Sequence, residues 1–141
     1  AVDFVTETLE DLRRKLLEGG FDRSHKTVFV LGGVVPYLTE EALDQLLRFI
    51  ASSSGPGSSV ILTYHDLENC GEEFRRIALE LAGQGEPFLF GRDPAGMERF
   101  LEERGFGRIT NVSIEQARER YAPGEKAPLE PTYHIATAVA P

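Results

Sequence analysis

Cysteine, basic residues and long apolar runs are scarce in this sequence, and each shortage excludes a class of protein. The lone cysteine, Cys70, cannot form a disulfide within the chain, which excludes a small disulfide-stapled secreted fold. Lys and Arg number 15 against 23 Asp and Glu, and the net charge of −8 argues against nonspecific binding to nucleic acid or to an anionic membrane. No apolar run approaches the roughly 20 residues of a transmembrane helix. The first residues also lack the pattern of a signal peptide, so we expect a cytoplasmic protein.

Patterns typical of metal binding and of nucleophilic catalysis are missing as well. His25 and His134 have no ligand spacing to each other or to Cys70, so we expect no metal site. With 41% hydrophobic and 27% charged residues, the chain has the composition of a globular protein. A chain of 141 residues is long enough to bury roughly two-thirds of its unfolded surface. We therefore expect a single domain over residues 1–141.

Residues 27–64 predict a parallel β-α-β unit. Thr27–Leu31 is a β-branched and aromatic run with no polar face, which is typical of a parallel strand covered on both sides. Ser59–Tyr64 repeats this apolar pattern. Two parallel strands need a crossover between them, and Glu40–Ser52 has the length and apolar stripe of a crossover helix.

The remaining segments continue the alternation of helices and strands. Further helices are predicted over Thr8–Glu18, Gly71–Ala82, a segment opened by Asp93 and Pro94, and Ser113–Tyr121, and further strands over Phe106–Val112 and Tyr133–Val139. The last two strands are predicted to pair antiparallel. The fold class is therefore α/β, with a mostly parallel sheet, an antiparallel last strand and helices on both faces.

Four segments in order resemble a known family. The stretch LGGVVPYLTEEALDQLLRFIASSSGPGSSVILTYHD is similar to the middle of the S-adenosylmethionine-dependent methyltransferases related to leucine carboxyl methyltransferase, in particular their bacterial small-molecule branch. The similarity continues through VDFVTETLEDLRRKLLEGGFDRSHKTVFV before it, and GEPFLFGRDPAGMERFLEERGF and YHIATAVA after it. The resemblance implies a Rossmann-like fold, S-adenosylmethionine as cofactor, and methyl transfer to an oxygen or carboxylate of a small molecule.

The resemblance covers the C-terminal half of that family only. Two cofactor-binding elements of such enzymes are absent, namely the glycine-rich loop after the first strand and the acidic residue that ends the second strand. The sequence is compatible with a proteolytic fragment, with one half of a split protein and with a truncated relative. We expect the chain to be inactive alone, and either the missing N-terminal half or a second copy to cover its open sheet edge.

Four residues are expected at the cofactor. The resemblance implies that Asp3 accepts a hydrogen bond from the adenine and that Phe4 covers the ring, although both could equally belong to a frayed terminus. Gly32 stands where the family commonly has a Glu that reaches toward the cofactor. Gly32 and Gly33 could bring backbone close to a ligand, or they could form a simple turn.

Candidate substrate residues follow the two buried strands. His65, with a side chain that titrates near neutrality, is the candidate general base or substrate-orienting group, and the alternative is an exposed loop histidine. Tyr64 is expected to face the substrate beside it. Tyr37 is a candidate lining residue whose alternative is core packing.

An aromatic strip supplies the other two substrate candidates. The resemblance implies that the segment 86–91, which contains Phe88 and Phe90, walls the substrate cavity and favours a partly hydrophobic methyl acceptor. Packing of this segment over the sheet is the alternative. At the level of function, a noncatalytic, self-associating α/β domain remains the alternative to the methyltransferase.

Overall fold

The computed structural model describes residues 8–126 and 132–141, and these residues contain five α-helices and four β-strands. The helices are α1 (Leu9–Glu18), α2 (Glu40–Ser53), α3 (Glu72–Gly83), α4 (Pro94–Glu102) and α5 (Ile114–Tyr121), and the strands are β1 (Val28–Leu31), β2 (Ser59–His65), β3 (Gly107–Ser113) and β4 (Tyr133–Val139). Each of these elements is predicted from the sequence to within one or two residues at either end. A short 3₁₀ helix over Val35–Tyr37 is not predicted.

Side-chain caps explain where α2 and α4 begin. The Thr39 hydroxyl accepts a hydrogen bond from the Ala42 amide at the start of α2. The Asp93 carboxylate accepts one from the Gly96 amide at the start of α4, with Pro94 at the first helical position. These groups satisfy backbone donors that have no partner within the helix, so the helix starts are encoded locally.

The strand order is β1-β2-β4-β3. Strands β1 and β2 pair in parallel, with Val30 opposite Ile61, whereas β4 pairs antiparallel with both β2 and β3. Strands β1, β2 and β3 therefore run in one direction, and only β4 is reversed. The predicted α/β class, with a mostly parallel sheet and an antiparallel last strand, is confirmed.

One face of the sheet, the covered face, carries the hydrophobic core. Strand residues Val60 and Leu62 and their neighbours Ala136 and Ala138 on β4 are buried there. The core is completed mainly by Leu43, Leu46, Leu47 and Ile50 of α2 and by Met97, Phe100 and Leu101 of α4. Burial of each of these larger side chains stabilises the fold by roughly 1.5–3 kcal/mol relative to exposure.

The opposite side of the sheet, the open face, is much less covered. Its members alternate with the core residues and are Val28, Val30, Ser59, Ile61, Thr63, Thr110, Val112, Ile135, Thr137 and Val139. Val28 and Val30 are 60% and 66% exposed, and no member of the face is fully buried by the described residues. Within the described sheet β1 is also an edge strand, so the open face adjoins an unpaired edge.

Long apolar helices are not part of this architecture. Within residues 8–126 and 132–141, no helix combines the length and the apolarity needed to cross a membrane.

Candidate functional site

The turn after β1 lies beside the end of β2. Leu31 is paired with Leu62, and the amide of Gly33 donates a hydrogen bond to the Thr63 hydroxyl at 2.8 Å. Gly33 has a φ of 68°, a conformation that favours glycine. A Cβ at Gly32 or Gly33 would meet no atom within 4 Å, so the space beside this backbone is open. The double glycine thus lies at the carboxyl end of the parallel strands.

Strand alternation separates Tyr64 from His65. Successive side chains of a strand point to opposite sides of the sheet. Tyr64 follows Leu62 on the covered face, whereas His65 follows Thr63 on the side of the open face. His65 therefore shares its side of the sheet with Thr63, which holds the Gly33 amide.

Three aromatic rings contact the His65 imidazole, and a fourth contacts one of the three. Its ring centroid lies 4.9 Å from that of Phe74, 5.1 Å from Phe88 and 5.0 Å from Tyr133. The planes of His65 and Phe88 are nearly parallel, at 19°, and Tyr37 packs edge-on against Phe88 at 5.5 Å. We call Tyr37, His65, Phe74, Phe88 and Tyr133 the aromatic cluster.

The His65 ring is fixed in orientation. Its Nδ1 lies 2.9 Å from the hydroxyl of Thr132, and the residue is only 8% exposed. A hydrogen bond at one ring nitrogen sets which tautomer the other nitrogen presents. The structure thus places a positioned imidazole among apolar rings, rather than the exposed loop histidine of the alternative interpretation.

Backbone hydrogen bonds hold the 86–91 segment over this edge. The amides of Leu89 and Phe90 donate to the Pro36 carbonyl at 2.7 and 3.2 Å, which joins the segment to the 3₁₀ helix. The Arg92 amide donates to the His65 carbonyl at 3.2 Å. These contacts bring Phe88 onto His65 and Tyr37, although the three residues are far apart in sequence.

Tyr64 and Phe90 occupy the core, which differs from the expectation that they line the substrate site. Tyr64 is fully buried, its hydroxyl donates to Asn111 Oδ1 at 2.8 Å, and burial together with the nearby Asp66 and Asp93 charges raises its pKa. Phe90 is 2% exposed and packs against Phe100 at 5.2 Å. Alternation along β2 turns Tyr64 inward, whereas Phe90 lies outside the strands and packs inward against Phe100.

Several residues at the site were not found by sequence reasoning. The sequence indicates Phe74 only as a buried position of a predicted helix, and Tyr133 only as the first residue of a predicted strand. Thr132 carried no signal. Asp66 closes the loop after β2 by accepting hydrogen bonds from the amides of Glu68 and Asn69.

Two of the predicted cofactor residues cannot be located. Asp3 and Phe4 lie outside the described residues.

Within residues 8–126 and 132–141, no group of three or more His, Cys, Asp or Glu side chains is arranged to hold a metal ion.

Sequence comparison finds similarity to methyltransferases. Residues 1–51 match the leucine carboxyl methyltransferase family. The chain is 31% identical over 127 residues to a putative S-adenosyl-L-methionine-dependent methyltransferase of Mycobacteroides abscessus, an alignment that covers 78% of this chain and 40% of the relative. The chain thus spans less than half the length of the curated relatives that it matches.

Solved structures share the fold. A DUF574-family protein from Streptomyces avermitilis superposes with a TM-score of 0.78 at 19% identity, covering 99% of this chain and 53% of its own. Human N-acetylserotonin methyltransferase in complex with S-adenosylmethionine superposes with a TM-score of 0.56 at 15% identity, covering 80% of this chain and 29% of its own. The chain thus resembles the leucine carboxyl methyltransferase family over residues 1–51, and it has the Rossmann-like α/β fold of these solved structures.

Proposed function

We propose that this chain is the C-terminal part of an S-adenosylmethionine-dependent methyltransferase that methylates an oxygen or carboxylate of a small molecule. The observation that carries the proposal is the similarity to curated relatives that are named as such methyltransferases. The positions of the double glycine and of His65, at one edge of the sheet, agree with it. A cytoplasmic location stays a prediction.

The cofactor lies against the glycine turn in this proposal. Open space beside Gly32 and Gly33 allows close approach of a ligand to their backbone. Asp3 and Phe4 keep the adenine contacts that the resemblance implies. Gly32 replaces a family carboxylate, and loss of one charge-assisted hydrogen bond weakens cofactor binding by about 1.5–3 kcal/mol, which is tenfold or more.

The acceptor lies beside the aromatic cluster. Tyr37 is 42% exposed and Phe88 is half-buried, so these two rings offer apolar surface to a substrate. S-adenosylmethionine would supply the methyl group and leave as S-adenosylhomocysteine, and the His65 imidazole or water would take the proton of a hydroxyl acceptor. A carboxylate acceptor has no proton to lose, and for it His65 is an orienting group. Alignment of the reacting atoms supplies most of the rate in either case.

A complementing segment completes the enzyme. The open face exposes Val28 and Val30 on the same side of the sheet as His65, next to an edge of β1 that no other described strand pairs with. A segment that pairs with β1 and covers this face would bury apolar surface and close the site. We infer that the chain is inactive until the N-terminal half of a methyltransferase domain supplies that segment.

Cofactor binding with and without a complement tests the proposal. The chain is co-expressed with the part of the Mycobacteroides abscessus relative that lies outside the matched region, and retention of radiolabelled S-adenosylmethionine is measured by equilibrium dialysis. We expect the complex to retain the cofactor, and the chain alone to retain none at millimolar concentration. A stable complex that retains no cofactor would contradict the proposal.

Two lysine variants give a matched control. Val30→Lys places a charge on the open face, and Leu79→Lys places one at a similarly exposed position on α3, where Leu79 is 74% exposed. We expect Val30→Lys to abolish complex formation and Leu79→Lys to leave it intact. Equal effects of the two variants would contradict a role for the open face.

The exposure of the open face also supports a second candidate, a noncatalytic domain that self-associates. Two copies could pair their β1 edges and bury Val28 and Val30 against each other. Sedimentation of the isolated chain would then show a dimer that Val30→Lys dissociates. Cofactor retention by the complemented chain would exclude this alternative.

A further inference from the structure

A cavity of about 400 Å³ borders the aromatic cluster at Phe74 and Phe88. Three parts of the chain form it: α3, the loop after β2 and the start of the 86–91 segment. Its lining residues are Leu67, Cys70, Phe74, Arg75, Ala78, Leu79, Ala82, Pro87 and Phe88. The volume lies within the range of small-molecule sites, and the lining is predominantly apolar.

The spacing of small residues on α3 creates this space. Phe74, Ala78 and Ala82 follow one another at intervals of four, so they share one face of the helix. The rings of Phe74 and Phe88 stack with their centroids 5.7 Å apart and form one wall of the cavity. The small side chains of the two alanines leave the space beside these rings unfilled. Leu79 adds exposed apolar surface at the rim.

Arg75 is the only basic residue among these lining residues. The Arg75 guanidinium is exposed and forms no ion pair with a carboxylate in the described part of the chain. A guanidinium at the rim of an apolar cavity complements a ligand with an apolar body and an anionic head.

We propose that this cavity binds a single-chain apolar carboxylate. The hydrocarbon lies between the alanines of α3 and the rings of Phe74 and Phe88, and the carboxylate accepts hydrogen bonds from Arg75. Both rings also contact His65, with ring centroids 4.9 and 5.1 Å away. One aromatic ring therefore separates the bound hydrocarbon from the imidazole. Binding needs neither S-adenosylmethionine nor a complementing segment and therefore stands apart from the proposed methyl transfer.

Calorimetric titration of the 141-residue chain with decanoate and with decanamide tests the site. We expect the chain to bind both ligands and to prefer the carboxylate. Arg75→Gln should weaken decanoate binding about tenfold and leave decanamide binding unchanged, because only the charged head gains from the guanidinium. Arg76→Gln, at an exposed neighbouring position outside the lining, should change neither.

A filling variant tests the location. Ala78→Phe should abolish binding of both ligands, whereas Ile77→Phe, on the same helix outside the lining, should preserve it. Circular dichroism of each variant confirms that the protein is folded. The proposal is overturned if the folded wild-type chain binds no decanoate at millimolar concentration, if Ala78→Phe binds as tightly as wild type, or if Arg75→Gln does not reduce the preference for the carboxylate.

Discussion

Gly91 lies where the chain crosses the end of β2, and an alanine there should destabilise the fold. A Cβ at Gly91 would be 2.6 Å from the His65 carbonyl oxygen and would also overlap the Leu67 side chain. The carbonyl is backbone in a paired strand and cannot rotate away. Overpacking of this kind costs about 1–3 kcal/mol, which at this chain length lowers the melting temperature by about 3–12 °C.

Gly32→Ala is the matched control for Gly91→Ala. A Cβ at Gly32 would meet no atom within 4 Å, so its free energy of unfolding should change by less than about 0.5 kcal/mol. Thermal and urea unfolding followed by circular dichroism measure both variants.

Gly91→Ala should also disturb the aromatic cluster. Because the Arg92 amide donates to the His65 carbonyl, a shift of this crossing moves Phe88 relative to the imidazole. The ring-proton NMR shifts of His65 should therefore change in Gly91→Ala and stay fixed in Gly32→Ala. If Gly91→Ala changes neither the stability nor the His65 ring-proton shifts, the close approach of position 91 to the His65 carbonyl is refuted.

Three further predictions concern other parts of the chain. Tyr64→Phe removes the hydroxyl that donates to Asn111 and should cost about 1 kcal/mol in urea unfolding, whereas Tyr121→Phe, at a 75% exposed ring, should cost nothing measurable. Hydrogen bonds from Thr8 lower the pKa of Asp11 from 3.8 to about 2, so its stabilising contribution is present above the unfolded pKa and is lost as the pH falls toward 2. Asp11→Asn should therefore reduce the loss of stability between about pH 4 and pH 2 in acid titrations. Gly32→Glu should strengthen cofactor retention by the complemented chain about tenfold, and Gly32→Gln should do so less; equal retention by Gly32→Glu and wild type would contradict a cofactor at this turn.

Local sequence was sufficient for the elements of the fold. Apolar alternation and capping groups such as Thr39 and Asp93 depend on neighbours within a few residues, so the helices and strands could be placed to within one or two positions. Gly32 and Gly33 directly follow the predicted strand Thr27–Leu31, so they could be expected at its carboxyl end.

The site was only partly predictable. Phe88 contacts both His65 and Tyr37, as a site formed by these three residues requires. Tyr64 and Phe90 were expected beside them but lie in the core. Neighbouring side chains of a strand face opposite ways, Phe88 and Phe90 lie outside the strands, and a run of apolar residues does not state which side is the interior.

The sequence by itself determined the α/β class, the helix starts and the strand directions, because these follow from short-range hydrogen bonding and apolar periodicity. Only the tertiary structure decided that Phe74, Phe88 and Tyr133 meet at His65, that Ala78 and Ala82 leave a cavity beside Arg75, and that one face of the sheet stays open. Each of these features joins residues from separate elements. Their contacts depend on how the helices and loops pack on the sheet, which local propensity does not encode.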